Sequence, residues 1–99
     1  MYEIELLASA AREFKKLTPQ AQREVKTAIE ALKENPYPEG CKKLSGVSKK
    51  ILSRFDCEGI YRVRAGSYRV LYNVNDRRIM ICIVRIGARK EVYQFLKSK

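Results

Sequence analysis

Hydrophobic and polar positions alternate from the second residue of the chain. Tyr2, Ile4 and Leu6 fall on one side and Glu3 and Glu5 on the other, which predicts a short strand over residues 2–7 with one polar face. The period then lengthens. Ser9 is placed to cap a helix over about residues 10–17, with Phe14 and Leu17 inward and Arg12, Lys15 and Lys16 outward. Thr18-Pro19 restarts the chain, Thr18 as N-cap and Pro19 at the first helical position, where a missing N–H costs nothing. The following helix runs to about Glu34 on the stripe Ala21, Val25, Ala28, Ile29 and Leu32, and Asn35-Pro36 ends it. Two helices joined by a short turn predict a helical hairpin.

Residues 35–59 hold Pro36, Pro38, Gly40, Gly46 and Gly59 and read as a long irregular connection, with Ile51, Leu52 and Phe55 as its apolar anchors. The period then becomes two. Residues 60–64 set Tyr61 and Val63 against Arg62 and Arg64; residues 68–74 set Tyr68, Val70, Tyr72 and Val74 against Arg69, Leu71 and Asn73. Ala65-Gly66-Ser67 and Asn75-Asp76-Arg77 are the turns. Residues 78–86 are apolar on both faces, as an interior strand requires, and Gly87 is expected to end it. The predicted fold is a single α+β domain over residues 1–99: an N-terminal strand, a helical hairpin, then a three-stranded antiparallel meander (β-α-α-β-β-β). The helices pack on one face of the sheet, over Tyr68, Val70 and Tyr72, leaving Arg62, Arg64 and Arg69 on the opposite, exposed face.

Charge sharpens this picture. The formal net charge is +10, yet residues 1–40 carry net −1 and residues 41–99 net +11. Such asymmetry points to a polyanionic partner, nucleic acid before an acidic protein or a membrane surface. Cys41, Cys57 and Cys82 are odd in number and widely spaced, which argues against a disulfide framework, and Cys82 sits in an apolar run that suggests the core. With no histidine in the sequence, a zinc site is not expected, and no metal or other cofactor is implied. No apolar run reaches the ~20 residues of a membrane span, and the first residues lack the basic start and apolar stretch of a secretory signal, so a cytoplasmic protein without membrane partners is expected.

Arginines at alternate positions of adjacent strands repel one another and give the sheet nothing evident in return. A guanidinium is a planar fork that matches phosphate oxygens, so Arg62, Arg64 and Arg69 read as a phosphate-binding surface. Arg85 and Arg89, at the end of the last strand and just past it, are placed to close the same concavity. Lys49 and Lys50 add basic contacts from the connection, and Tyr93 offers a ring on which a base can stack.

The segments IYRVRAGSYRVLYNV and IVRIGARKEVYQFL resemble the RelE/ParE superfamily of toxins from type II toxin–antitoxin systems, and the likeness extends over essentially the whole chain. It implies the RelE-like branch: a metal-independent endoribonuclease that cleaves messenger RNA on the ribosome, inhibits translation and is neutralised by a cognate antitoxin. Operator DNA would be bound only through that antitoxin. Carried over by position, Arg62, Arg64 and Arg69 match basic substrate-binding residues. Arg89 matches the charge stabiliser after the last strand, and Tyr93 the tyrosine that stacks on the base. Arginine stands at Arg62 and Arg64 where the prototype has lysines, and Ala88 where many relatives carry histidine. Those departures keep a second reading open, a gyrase inhibitor of the ParE type or a toxin relative with weakened catalysis.

Overall fold

The computed structural model describes residues 1–54, 59–88 and 92. In chain order the elements are β1 (Glu3–Leu6), α1 (Ala8–Lys15), α2 (Pro19–Glu34), β2 (Lys42–Lys43), α3 (Lys49–Arg54), β3 (Tyr61–Ala65), β4 (Tyr68–Asn75) and β5 (Met80–Ala88). The strands form one five-stranded sheet in the order β1-β5-β4-β3-β2. The meander β3-β4-β5 is antiparallel as expected. β1 joins it in parallel, Glu3 facing Met80 and Leu6 facing Ile83, so the sheet is mixed. A parallel return needs a long crossover, and the helical hairpin is part of it.

α2 is built as its sequence dictates. The Thr18 side chain accepts the Ala21 N–H at 3.2 Å, Pro19 opens the helix, and Ala21, Val25, Ile29 and Leu32 are buried. With Ala10 of α1, Val25, Ile29 and Leu32 pack on Ala65, Val70, Tyr72, Ile81, Ile83 and Ile86, while Phe14 and Leu17 fill the margin. Leu, Ile and Val burial of this kind contributes ~1.5–3 kcal/mol per side chain against leaving it in water.

α1 departs from expectation at its start. It begins at Ala8 with Leu7 as N-cap, and no side chain caps it. Ser9 instead donates its hydroxyl to the Val84 carbonyl at 3.1 Å. β1 ends at Leu6, leaving the outer edge of β5 open beyond Ile83, and Ser9 meets part of that edge. A second expectation fails in residues 35–59, which contain β2 and α3. Cys41 N–H reaches the Pro38 carbonyl, and Leu44 N–H bonds the Ile60 carbonyl at 2.8 Å. Gly87 does not end β5, which continues to Ala88.

Four tyrosines gather on the helix side near the turn that joins β4 to β5. Tyr72 donates to the Pro36 carbonyl at 2.7 Å, Tyr61 stacks on Tyr72, and Tyr37 meets Tyr61 edge-on. Asp76 in the turn accepts from Tyr2 at 2.6 Å and from Tyr37 at 3.1 Å, tying the chain start and the end of α2 to one carboxylate. In that turn Ile79 has φ +53°, a left-handed conformation that is strained for a β-branched residue. Cys41 and Cys82 are half-buried thiols, and Cys57 lies outside the described residues. Among the described residues no helix is long and apolar enough to cross a membrane.

Candidate nucleic-acid interface

The β3–β4 hairpin carries the arginines. Ala65 pairs with Tyr68 across the two-residue turn Gly66-Ser67, and Gly66 has φ +62°. Positive φ at the first central residue alone is the type II′ turn, whose twist matches that of the strands it joins. This tight turn fixes the register: Arg64 lies directly opposite Arg69, and Arg62 opposite Leu71. Side chains of facing residues share a face. Tyr61, Val63 and Ala65 therefore look toward the helices with Val70 and Tyr72, and Arg62, Arg64 and Arg69 look away, as expected.

That second face is not the bare surface the sequence suggested. Ile60, Leu71, Val84 and Val92 form a second buried cluster there, with Leu7, Leu44, Val47 and Leu52 packed around it. β4 and β5 fall out of register between Leu71 and Tyr72: Leu71 faces Arg85 while Tyr72 faces Ile83, so Val84 is an extra, bulged residue. The bulge lets Val84 point into the second cluster while Ile83 and Ile86 both stay in the first. Gly87, opposite Arg69, allows Val92 to lie close over the strand; a Cβ at Gly87 would meet the Val92 Cβ at 3.3 Å. Val92 thus lies over the arginine-bearing face.

The three arginines consequently sit in different surroundings. Arg64 is exposed and Arg69 half-buried, but Arg62 keeps only 7% of its surface, against the expected exposure: its side of the sheet carries a buried cluster rather than open solvent. Among the described residues no carboxylate pairs with any of the three. Arg85 differs. Its guanidinium donates to Glu13 Oε2 at 2.9 and 3.1 Å, and Glu13 Oε1 accepts the Ile86 N–H at 2.9 Å. One carboxylate thus holds both the Arg85 charge and the open edge of β5. Lys49 and Lys50 are exposed at the start of α3, where Ser48 Oγ accepts the Lys50 N–H. Leu44, Val47 and Leu52 anchor this segment to the second cluster, so both lysines ride on the arginine-bearing side. Arg89 and Tyr93 lie outside the described residues.

The sequence pattern missed Lys42. β2 pairs with β3 so that Lys42 faces Arg62, on the arginine-bearing side of the sheet. A strand of two residues has no periodicity to read; the only signal was the Lys42-Lys43 pair itself. Chemically, the face offers fixed cations for a polyanion and, among the described residues, no evident base. Tyr2, Tyr37 and Tyr72 belong to the opposite side, and all three hydroxyls are held protonated. The hydrogen bond to Asp76 raises Tyr2. Burial, then the Asp76 bond, pushes Tyr37 up to about 12, and burial raises Tyr72 still further. Among the described residues no group of three or more Cys, Asp and Glu side chains is placed to hold a metal ion.

This arrangement has counterparts. The model of the ParE toxin of type II toxin–antitoxin systems matches residues 4–93. The chain belongs to the RelE/ParE superfamily of toxins. Toxin RelE1 of Methanocaldococcus jannaschii is 33% identical over 97 residues, 94% of this chain and 96% of that protein. A RelE-like toxin protein of Escherichia coli is 26% identical over 100 residues, 99% of this chain and 96% of its own length. In three dimensions the archaeal RelE–RelB complex from Pyrococcus horikoshii contains a chain with a TM-score of 0.71 at 24% identity, covering 90% of this chain and 96% of that one. The RelE-like fold is therefore shared.

Proposed function

We propose that this superfamily toxin is a ribosome-dependent endoribonuclease that cuts messenger RNA and so stops translation. The observation that carries the reading is the Arg64–Arg69 pair: two cations directly opposite each other across adjacent strands, with no carboxylate partner among the described residues. Such a pair is destabilising unless an anion joins it. Phosphate does so with bidentate geometry.

Cleavage needs the 2′-oxygen to attack the adjacent phosphorus, forming a 2′-O–P bond while the P–O5′ bond breaks. The 2′-OH proton leaves, and the 5′-oxygen gains one. Arg64 and Arg69 bind the phosphate and neutralise the charge that grows on its oxygens, the largest contribution such a site can make. Arg62 supports them from beneath, Arg89 adds a further positive charge, and Tyr93 stacks on or orients the base. Lys49, Lys50 and Arg85 extend the RNA contact. Arginine stays protonated at neutral pH and the sequence has no histidine, so charge stabilisation and positioning carry more of the catalysis than proton transfer does. A cognate antitoxin, as in the RelE–RelB complexes of structural relatives, would cover the cationic face in the cytoplasm and carry the pair to operator DNA.

Induction in growing cells, followed by mapping of message 5′ ends, tests this. Cleavage at translated codons is expected, and Arg69→Ala should remove both cleavage and growth arrest. Intact messages in arrested cells would overturn it. The match to the ParE toxin model favours one alternative, a gyrase inhibitor. Purified protein that blocks supercoiling while a translation extract runs normally would establish that reading instead.

A further inference from the structure

We infer that Lys42 and Arg62 form a second phosphate subsite, so that the face holds two consecutive phosphates of a single RNA strand. The inference rests on the RNA-binding reading above and adds Lys42, a residue outside the set expected from sequence.

Three observations meet here. Lys42 and Arg62 are direct cross-strand partners, the second like-charged pair on this face after Arg64–Arg69. Two such repulsions side by side oppose folding, and among the described residues no carboxylate relieves either. Arg62 is more than nine-tenths buried and makes no hydrogen bond or ion pair with the described residues. Its side chain is thus packed in place while the guanidinium nitrogens keep solvent contact, since among the described residues no fully buried side-chain nitrogen or oxygen lacks a partner, so an anion can reach the fork. Finally, β2 is held firmly although it is only two residues long. Leu44 N–H bonds the Ile60 carbonyl, and the Leu44 side chain packs in the second cluster. Lys42 is therefore fixed at its root and exposed at its head.

The two pairs lie two residues apart along β3. At ~3.4 Å per residue the rows are offset by about 7 Å, close to the step of one nucleotide in an extended strand. A free phosphate would fill one row; a single-stranded RNA backbone running along β3 fills both. Arg62 supplies a rigid fork at the floor, and Lys42 a mobile cation that closes over the same phosphate from the edge.

The test uses the full chain and a short single-stranded RNA made uncleavable by 2′-O-methylation, with affinity read by fluorescence anisotropy over a salt series. Each phosphate contact on a single strand contributes a slope of about 0.7 in log K against log salt. Lys42→Ala should reduce the slope by about that amount and lower affinity roughly 3- to 10-fold near physiological salt. Lys42→Arg should restore both. The melting temperature should not fall, since Lys42 is exposed on an edge strand and its loss relieves the repulsion with Arg62. Wild-type binding to RNA with affinity and slope unchanged in Lys42→Ala overturns the subsite and leaves the RNA-binding face standing. Lys42→Ala weakening polyglutamate binding but not RNA binding also overturns it, in favour of an acidic protein. No RNA binding by the wild-type chain at any salt overturns both readings.

Discussion

Replacing Arg69 with glutamine should make the protein more stable and less active at once. Arg69 and Arg64 are facing residues, so their backbones lie about 4.5–5.5 Å apart, and their long side chains can splay to roughly 8 Å between charges. At that separation two unit charges repel by about 0.5 kcal/mol in water and about 2 kcal/mol at an effective dielectric constant of ~20. Arg64 is exposed and Arg69 half-buried, which places the pair nearer the lower figure. A gain of about 0.5–1 kcal/mol corresponds to a rise in Tm of ~2–8 °C for a domain of this size. At about 1 M salt, where the screening length falls to ~3 Å, the gain should vanish. Function moves the other way. Charge-assisted hydrogen bonds to a phosphate contribute ~1.5–3 kcal/mol, so cleavage should fall about 10- to 150-fold. Differential scanning calorimetry at low and high salt, paired with message cleavage in a translation extract, reads both arms. A double-mutant cycle with Arg64→Gln isolates the coupling, which should be repulsive at low salt. A variant that melts lower than wild type at low salt, insensitive to salt, would refute the reasoning: Arg69 would then be holding the fold rather than waiting for an anion.

Other positions test other parts of the structure. Ile79→Gly removes the strain of a β-branched residue at φ +53° in an exposed turn and should raise stability by about 0.5–1 kcal/mol, visible in urea titration. Glu13→Ala removes the ion pair with Arg85 and the acceptor of Ile86 N–H; it should cost about 2 kcal/mol, and Glu13→Gln less, because an amide oxygen can still accept from Ile86. Tyr37 keeps its proton to about pH 12 in the fold and loses it near pH 10 when unfolded. The unfolded state therefore binds fewer protons in that window, and stability falls as pH rises from about 10 to 12. Tyr37→Phe should flatten this alkaline limb in melts taken across the range.

The hydrophobic pattern carried the parts of the fold set by local rules. α2 was legible to its last residue because Thr18, Pro19 and Asn35 punctuate a clean stripe. The β3–β4 hairpin was legible because Gly66 demands its turn, and that turn placed Arg64 against Arg69. What escaped was decided by distant partners. The parallel docking of β1 depends on β5, and nothing in residues 2–7 encodes its direction. Ser9 had a cap residue's chemistry, yet an unpaired carbonyl on Val84 competed for it successfully. Arg62 is buried on a face whose alternation looked solvent-exposed, because Leu44, Val47, Leu52 and Val92, distant in sequence, pack on that same face. Gly87 reads as a strand terminator; here it is a clearance under Val92.

The parallel pairing of β1 with β5 also sets a schedule. Glu3 finds its partner Met80 only when the chain has been made that far, and Ile81, Ile83 and Ile86, on which α1 and α2 pack, arrive with the same strand. Contacts between residues so far apart in sequence are the last to form and the slowest. A nascent chain halted before β5 has helices without a floor and an arginine hairpin without a neighbour on one side. The fold therefore closes late: its helices cannot settle on a complete sheet until the chain has been made through Met80 and the residues of β5 that follow.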